Sequence, residues 1–307
     1  MADIPFVKYQ AAGNDFIVVS ADDIGLPPDS QPVDIGPLGR APAFARMARA
    51  ILARHTGVGA DGWFLIFPPR GREHPYAAVR IFNADGSEAE MSGNGIRCAA
   101  AWLLDVGLGL TRIGIETPAG LKTVEYTGSD RGERFFRVRM GEPELDPKRI
   151  PFRARGASTR VVRYRLPTSL GPKEVTVTSM GNPHCSIFVK SFETLNWRAL
   201  GREIERHPAF PKRTNVEFVR VVTPRQIEVR FWERGVGETA SSGTGSSAAA
   251  VAAKLNRRTG HKVCVRTPGG NLEVNWAESN FVLLTGPVRR VAQGSYDYDE
   301  RSRSKPL

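Results

Sequence analysis

The chain has 307 residues, 41% of them apolar, which suits two domains of ordinary size with real cores. Its net charge of +11 comes from 43 basic and 32 acidic residues spread along the sequence without aromatic spacing, so an anionic small molecule is the expected partner and nucleic acid is not. Three cysteines rule against a disulfide framework, five scattered histidines against a metal site, and no apolar run approaches the roughly 18–20 residues of a membrane span, which leaves the cytoplasm as the expected compartment.

In chain order, residues 6–20 read as strand, turn and strand, with Gly13-Asn14-Asp15 at the turn. Residues 21–41 are rich in Pro, Asp and Gly and form an irregular connection. A helix is predicted from Pro42 to Arg54, with Phe44, Met47 and Ile51 on one face. The glycine-rich loop His55–Gly62 leads into a strand at Trp63–Phe67 and lacks the Lys-Ser/Thr of a phosphate cradle. Another strand ends near Phe82, and Glu88 and Glu90 are expected in a solvated loop.

Ser92-Gly93-Asn94-Gly95 then opens an Ala-rich helix. A strand, a turn of small residues and a helix start place free N–H groups and a positive dipole end together, a site suited to a carboxylate. Strands follow at Ile113–Glu116 and Leu121–Tyr126, and the turn-rich residues 128–133 suggest a domain boundary. The Arg-rich stretch 131–165 reads as an exposed strand face. Further strands are predicted at Arg134–Met140, Arg160–Leu166, Glu174–Thr178 and Cys185–Val189, with Gly181-Asn182-Pro183-His184 between the last two.

The chain then writes its central stretch again. Arg80, Ser92, Gly93 and Gly95 recur as Arg230, Ser242, Gly243 and Gly245, and Thr117-Pro118 recurs as Thr267-Pro268, each 150 positions on. Gly13-Asn14 recurs as Gly181-Asn182 at an offset of 168, so the first half holds a net 18 extra residues, assigned to the 21–41 connection. An internal duplication accounts for this register. Two similar halves follow, each with several strands and one helix opening at Ser-Gly-x-Gly. Two such openings facing one another across a cleft would clamp one α-amino acid. The expected domains are 1–128 with a returning strand 281–293, and 129–280, followed by a disordered tail at 294–307.

Taken together, Gly13–Phe16, Arg54–Gly62, Phe82–Ser87, Gly93–Cys98, Gly181–His184, Arg213–Asn215, Glu233–Gly235 and Gly243–Gly245 resemble the diaminopimelate epimerase family over nearly the whole length. The resemblance implies an α/β fold of two pseudo-symmetric domains, each a curved mixed sheet around a central helix. It implies lysine-pathway isomerase chemistry without pyridoxal phosphate, other cofactor or metal, by a two-base proton transfer at the α-carbon of diaminopimelate. The family often forms homodimers, which leaves a homodimer open here. Substrate contacts carry over to Asn14, Asn83, Gly93, Asn94, Asn182, Asn215, Glu233, Arg234, Gly243 and Thr244, and His184 with Glu233 matches a pair that supports a catalytic cysteine.

Both catalytic cysteine positions of the family are serine here, Ser92 and Ser242. Cys98, Cys185 and Cys264 are not substitutes by position and read as structural. A serine hydroxyl is far less acidic than a thiol and needs a base beside it. Three accounts stay open: a divergent isomerase whose base is Glu233 or His184, as the phenazine-biosynthesis isomerases use a glutamate; a shift to dehydration or to binding alone; or engineered serines.

Overall fold

In the computed structural model, which describes residues 2–27, 30–37, 39–69, 76–153 and 159–298, the chain divides into two units. The first is Met1–Val138 with Pro287–Leu307 and the second is Arg139–Gly286. The first unit runs β1 (Ala2–Ala11), β2 (Asn14–Ser20), α1 (Pro42–Ile51), β3 (Gly62–Phe67), β4 (Ala77–Asn83), β5 (Glu88–Ala89), α2 (Gly93–Asp105), β6 (Arg112–Thr117), β7 (Gly120–Asp130) and β8 (Glu133–Gly141). The second runs β9 (Val161–Leu166), β10 (Lys173–Ser179), β11 (Pro183–Phe188), α3 (Trp197–Glu205), β12 (Asn215–Thr223), β13 (Gln226–Glu233), β14 (Gly237–Thr239), α4 (Gly243–Leu255), β15 (Lys262–Thr267) and β16 (Gly270–Trp276), and reaches into β17 (Val282–Tyr298).

The duplication is a duplication of topology. Unit 1 orders its strands β17-β1-β2-β3-β4-β6-β7-β8, with parallel steps at β2–β3 and β4–β6, and β8 also pairs with β17. Unit 2 orders them β9-β10-β11-β12-β13-β15-β16-β17, with parallel steps at β11–β12 and β13–β15. A parallel step needs a crossover, and each unit fills its two crossovers with helices. In unit 1 these are α1 and α2, and in unit 2 α3 and α4. Each unit is thus a curved mixed sheet wrapped around a central helix.

The central helices are buried over most of their length because sheet surrounds them. α2 is buried from Gly93 to Leu103 and packs on β1, β2, β3, β6 and β7. The small side chains of Ala99, Ala100 and Ala101 allow that close fit, and Trp102 joins the same core. The last glycine of each helix start is a packing requirement. A Cβ on Gly95 would lie 2.2 Å from Cε2 of Phe64, and one on Gly245 would lie 2.9 Å from Cδ1 of Phe231. Gly95→Ala is expected to cost about 1–3 kcal/mol of stability through overpacking, visible as a lowered melting temperature.

Several expectations meet corrections here. The first turn is Ala12-Gly13 and the turn at 128–133 is Arg131-Gly132, both with two positive φ angles (49° and 87°; 49° and 80°). Those angles match the twist of a tight hairpin, so residues 128–133 keep the chain within unit 1 and mark no boundary. α1 ends at Ile51, before Arg54, because Val58 and Gly59 fold back to donate to the Ile51 carbonyl. Among the described residues each unit has two α-helices, and the one not expected from the sequence is α3, capped by Asn196, whose side chain accepts from Ala199 N at 3.2 Å, and burying Trp197, Leu200 and Ile204.

Residues 294–298 are strand rather than disordered tail: Gly294 to Tyr298 pair with Phe6 to Ala2, and Tyr296 and Tyr298 pack on the core around Ile4. Residues 299–307 lie outside the described residues, as does His74.

Glu88 is not solvated. Its β-pairing opposite Phe82 turns it back under Arg80, whose Nε and Nη2 donate to its carboxylate at 2.9 and 2.5 Å. The side chains are 5% and 3% exposed. Arg80 also donates to the carbonyls of Pro32, Gly36 and Pro37, which fastens the long 21–41 connection to the sheet. The Arg-rich face is not simply exposed: Arg134 forks onto Asp105, and Arg139 lies 3.3 Å from the centre of the Phe281 ring.

Candidate active site

The two serines occupy equivalent backbone positions. Ser92 caps α2 with φ −132° and ψ 117°, and its Oγ accepts from Gly95 N at 3.1 Å. Ser242 caps α4 with φ −142° and ψ 125°, and its Oγ accepts from Gly245 N at 3.2 Å. Each hydroxyl satisfies one of the free N–H groups of its helix, the ordinary work of a capping serine. Gly93 and Asn94, and Gly243 and Thr244, form the first turns, where the remaining N–H groups and the dipole favour an anion.

In unit 1 an amide chain surrounds the opening. Asn94 Nδ2 donates to Asn14 Oδ1 at 2.6 Å, and Asn14 Nδ2 donates to Asp61 at 3.1 Å. Beneath them Arg97 is fully buried and donates to the Gly93 carbonyl at 2.9 Å and to Asn94 Oδ1 at 3.0 Å. Burial lowers the Arg97 guanidinium pKa to about 10. Arg54 forks onto Asp15 and also holds Asp61 at 2.6 Å. Burial pushes the Asp15 carboxyl up, but Arg54 and Lys8 outweigh it and hold Asp15 below its ordinary range. Asn83, at the exposed end of β4 and opposite Gly62 in the strand register, donates to Ser87 Oγ at 3.0 Å.

Unit 2 presents a different chemistry. His184 Nδ1 lies 2.6 Å from Glu217 Oε1, and its Nε2 donates to Asn182 Oδ1 at 2.8 Å. Both His184 and Glu217 are buried; burial pushes the Glu217 carboxyl up, and His184 only partly offsets this. Asn215 donates to the Pro183 carbonyl at 3.0 Å and accepts from Arg234 N at 2.9 Å, which fixes the turn that follows Glu233. The Arg234 guanidinium donates to the Lys212 carbonyl at 3.2 Å. Glu233 ends β13 and accepts from Thr239 Oγ1 at 2.6 Å. Burial raises its carboxyl pKa, opposed in part by Thr239, the His184 charge and a hydrogen bond with Ser242.

The structure thus joins Asn14, Ser92, Gly93 and Asn94 in one unit, and Asn182, His184, Asn215, Glu233, Arg234 and Ser242 in the other. Glu217 and Arg97 were not expected. The alternation in β12 is the signal for Glu217: Asn215 and Glu217 are polar between Val216 and Phe218, and the parallel register sets them beside His184 and Ser186. Cys98 and Cys185 are buried thiols with raised pKa, Cys98 to about 12; Cys264 is half-buried, against expectation. Among the described residues no cluster of three His, Cys, Asp or Glu suits a metal, and no helix is long and apolar enough to cross a membrane.

A sequence profile described as diaminopimelate epimerase matches residues 6–145 and 176–291. This chain belongs to the diaminopimelate epimerase family. It is 42% identical over 294 residues to the diaminopimelate epimerase of Pelotomaculum thermopropionicum, covering 95% of this chain and 99% of that one. To the Desulfitobacterium hafniense enzyme of the same name it is 40% identical over 289 residues, covering 94% and 96%. Solved structures extend the epimerase fold to more distant proteins. A phenazine-biosynthesis PhzF family protein of Bacillus anthracis superposes with a TM-score of 0.67 at 16% identity, covering 96% of this chain and 99% of that one. A probable proline racemase of Agrobacterium radiobacter does so at 0.68 and 17%, covering 98% and 94%. At that identity the likeness concerns the fold alone.

Proposed function

We propose that this protein is a cofactor-independent isomerase that removes and returns the α-proton of an α-amino acid, with LL- and meso-diaminopimelate as the substrate pair. The observation that carries this is a half-buried carboxyl, Glu233, with a raised pKa and held by Thr239, in the unit whose Ser242 caps a carboxylate-binding helix start. The relatives' shared name supplies the substrate. Asn14, Asn83, Gly93, Asn94, Asn182, Asn215, Glu233, Arg234, Gly243 and Thr244 are its proposed substrate contacts; Ser92 and Ser242 hold the family's two catalytic positions; His184 orients Asn182. The family likeness supports a cytoplasmic protein acting on a free amino acid rather than on nucleic acid, and a homodimer is the assembly to test.

The test is solvent exchange: the protein is incubated with LL- or meso-diaminopimelate in D2O and the α-position is read by mass spectrometry. Deuterium is expected to enter. No uptake above the uncatalysed rate at high protein concentration removes the isomerase reading. A second reading, binding without turnover, is favoured by the engagement of both serine hydroxyls as helix caps. It predicts a ligand-raised melting temperature and no deuterium.

A further inference from the structure

We infer that Glu217 is a positioning residue: with His184 it holds one shared, buried proton, and through the imidazole that proton fixes the Asn182 side chain as a hydrogen-bond donor, so that unit 2 takes a carboxylate there and refuses an ammonium. This rests on the reading above only in assigning Asn182 to the substrate; the placement of the proton stands on unit 2 by itself.

The hydrogen bonds supply the count. Asn182 Oδ1 lies 2.8 Å from His184 Nε2. A carbonyl oxygen can only accept, so Nε2 carries a hydrogen. The other ring nitrogen, Nδ1, lies 2.6 Å from Glu217 Oε1. A second proton sits between these two, either on Nδ1 beside a carboxylate or on the carboxyl beside a neutral ring. Without it, the neutral ring would turn its single hydrogen towards the carboxylate and leave Nε2 bare.

Burial keeps the proton in place. The side chains of His184 and Glu217 are 0% and 1% exposed. Val216 and Phe218, both buried, flank Glu217 along β12. Ser186 Oγ donates to the second carboxylate oxygen at 3.3 Å, and among the described residues no lysine or arginine pairs with Glu217. Loss of the shared proton would leave a buried negative charge without a cation, which is costly. The remaining neighbours do not supply one. Glu233, on β13, is itself acidic, and Cys185, beside His184 on β11, is a buried thiol with a raised pKa. Across β10–β11 His184 faces Thr178, which carries no charge.

The consequence falls on Asn182. This residue is half-buried, and its Nδ2 makes no hydrogen bond to the described residues. With Oδ1 taken by His184, the amide keeps its two N–H hydrogens for a ligand. A bare Nε2 would reverse the amide and present Oδ1 instead. The Glu217–His184 pair thus decides whether Asn182 donates or accepts. Of the charged groups on diaminopimelate, the carboxylates accept and the ammonium groups only donate.

The experiment reads the proton first, by nitrogen-15 NMR of histidine-labelled protein without ligand at neutral pH. His184 Nε2 is expected to show a one-bond coupling to hydrogen, and a strongly downfield proton is expected between Nδ1 and Glu217. Glu217→Gln should abolish the downfield resonance and keep the Nε2 hydrogen. A bare Nε2 in the wild type overturns the inference, as does a downfield resonance that survives in Glu217→Gln. Calorimetry with meso-diaminopimelate then reads the polarity at Asn182. Asn182→Asp keeps the shape and the bond from His184 but puts an acceptor where the donor was. It is expected to weaken binding by about 10–100-fold, the worth of one hydrogen bond to a charged group. Unchanged affinity in a folded Asn182→Asp variant overturns the assignment of a carboxylate there. A wild-type protein with the Nε2 hydrogen in place and no binding of meso-diaminopimelate supports the proton placement and overturns instead the substrate reading beneath it.

Discussion

Replacing Glu233 by Gln is expected to lower α-proton exchange by about 10²–10⁴-fold, the usual worth of one positioned general base. Gln keeps the shape and still accepts the hydrogen bond from Thr239 Oγ1, so the turn to β14 and the cap at Ser242 stay in place. Ligand binding, measured by calorimetry, should therefore change little beside the rate. The pH profile gives a second check. Exchange needs the ionised carboxylate, and burial raises the Glu233 pKa, with Glu217 pushing the same way and His184, Thr239 and Ser242 against. The rate should thus rise with pH through a midpoint above the ordinary carboxylate range, and this rise should vanish in the variant. An unchanged rate in Glu233→Gln would assign the proton to another group.

The largest effect on stability is expected from Glu88→Ala. It removes the carboxylate that neutralises Arg80, while the guanidinium stays pinned by the carbonyls of Pro32, Gly36 and Pro37. Breaking a buried ion pair from one side typically costs about 3–5 kcal/mol, since the surviving charge is left uncompensated. Thermal unfolding followed by calorimetry should show the loss, and limited proteolysis should show new cleavage in 21–41. The repeat provides an internal contrast. Glu238, the counterpart of Glu88, pairs with Arg198 at the surface, where an ion pair contributes little. Glu238→Ala should move the melting temperature far less, and equal shifts would contradict the role given to Arg80.

Much of this was legible because a duplicated sequence carries its own control. One Ser-Gly-x-Gly is an ordinary helix cap; two in register, with matching Thr-Pro turns, disclose two topologically equal units and the helix around which each is built. What stayed hidden depended on partners rather than on patterns. Glu88 reads as a loop residue until β5 folds back opposite Phe82. Glu217 reads as one polar residue in an apolar strand until the parallel register brings it beside His184. The helix Trp197–Glu205 is only nine residues long, and its signals, the cap Asn196 and the spacing of Trp197, Leu200 and Ile204, are too brief to stand out from the loops around them. Residues 294–298 are polar in composition, and two tyrosines decide their place.

The long strand β17 has a consequence for biosynthesis. Its Arg289–Tyr298 portion is the neighbour of β1, so the edge of the first sheet stays open until nearly 300 residues have left the ribosome. Arg139–Gly286, by contrast, is one uninterrupted stretch. The N-terminal portion, translated first, is therefore completed last, and during that wait β1 exposes unpaired backbone to any passing chain.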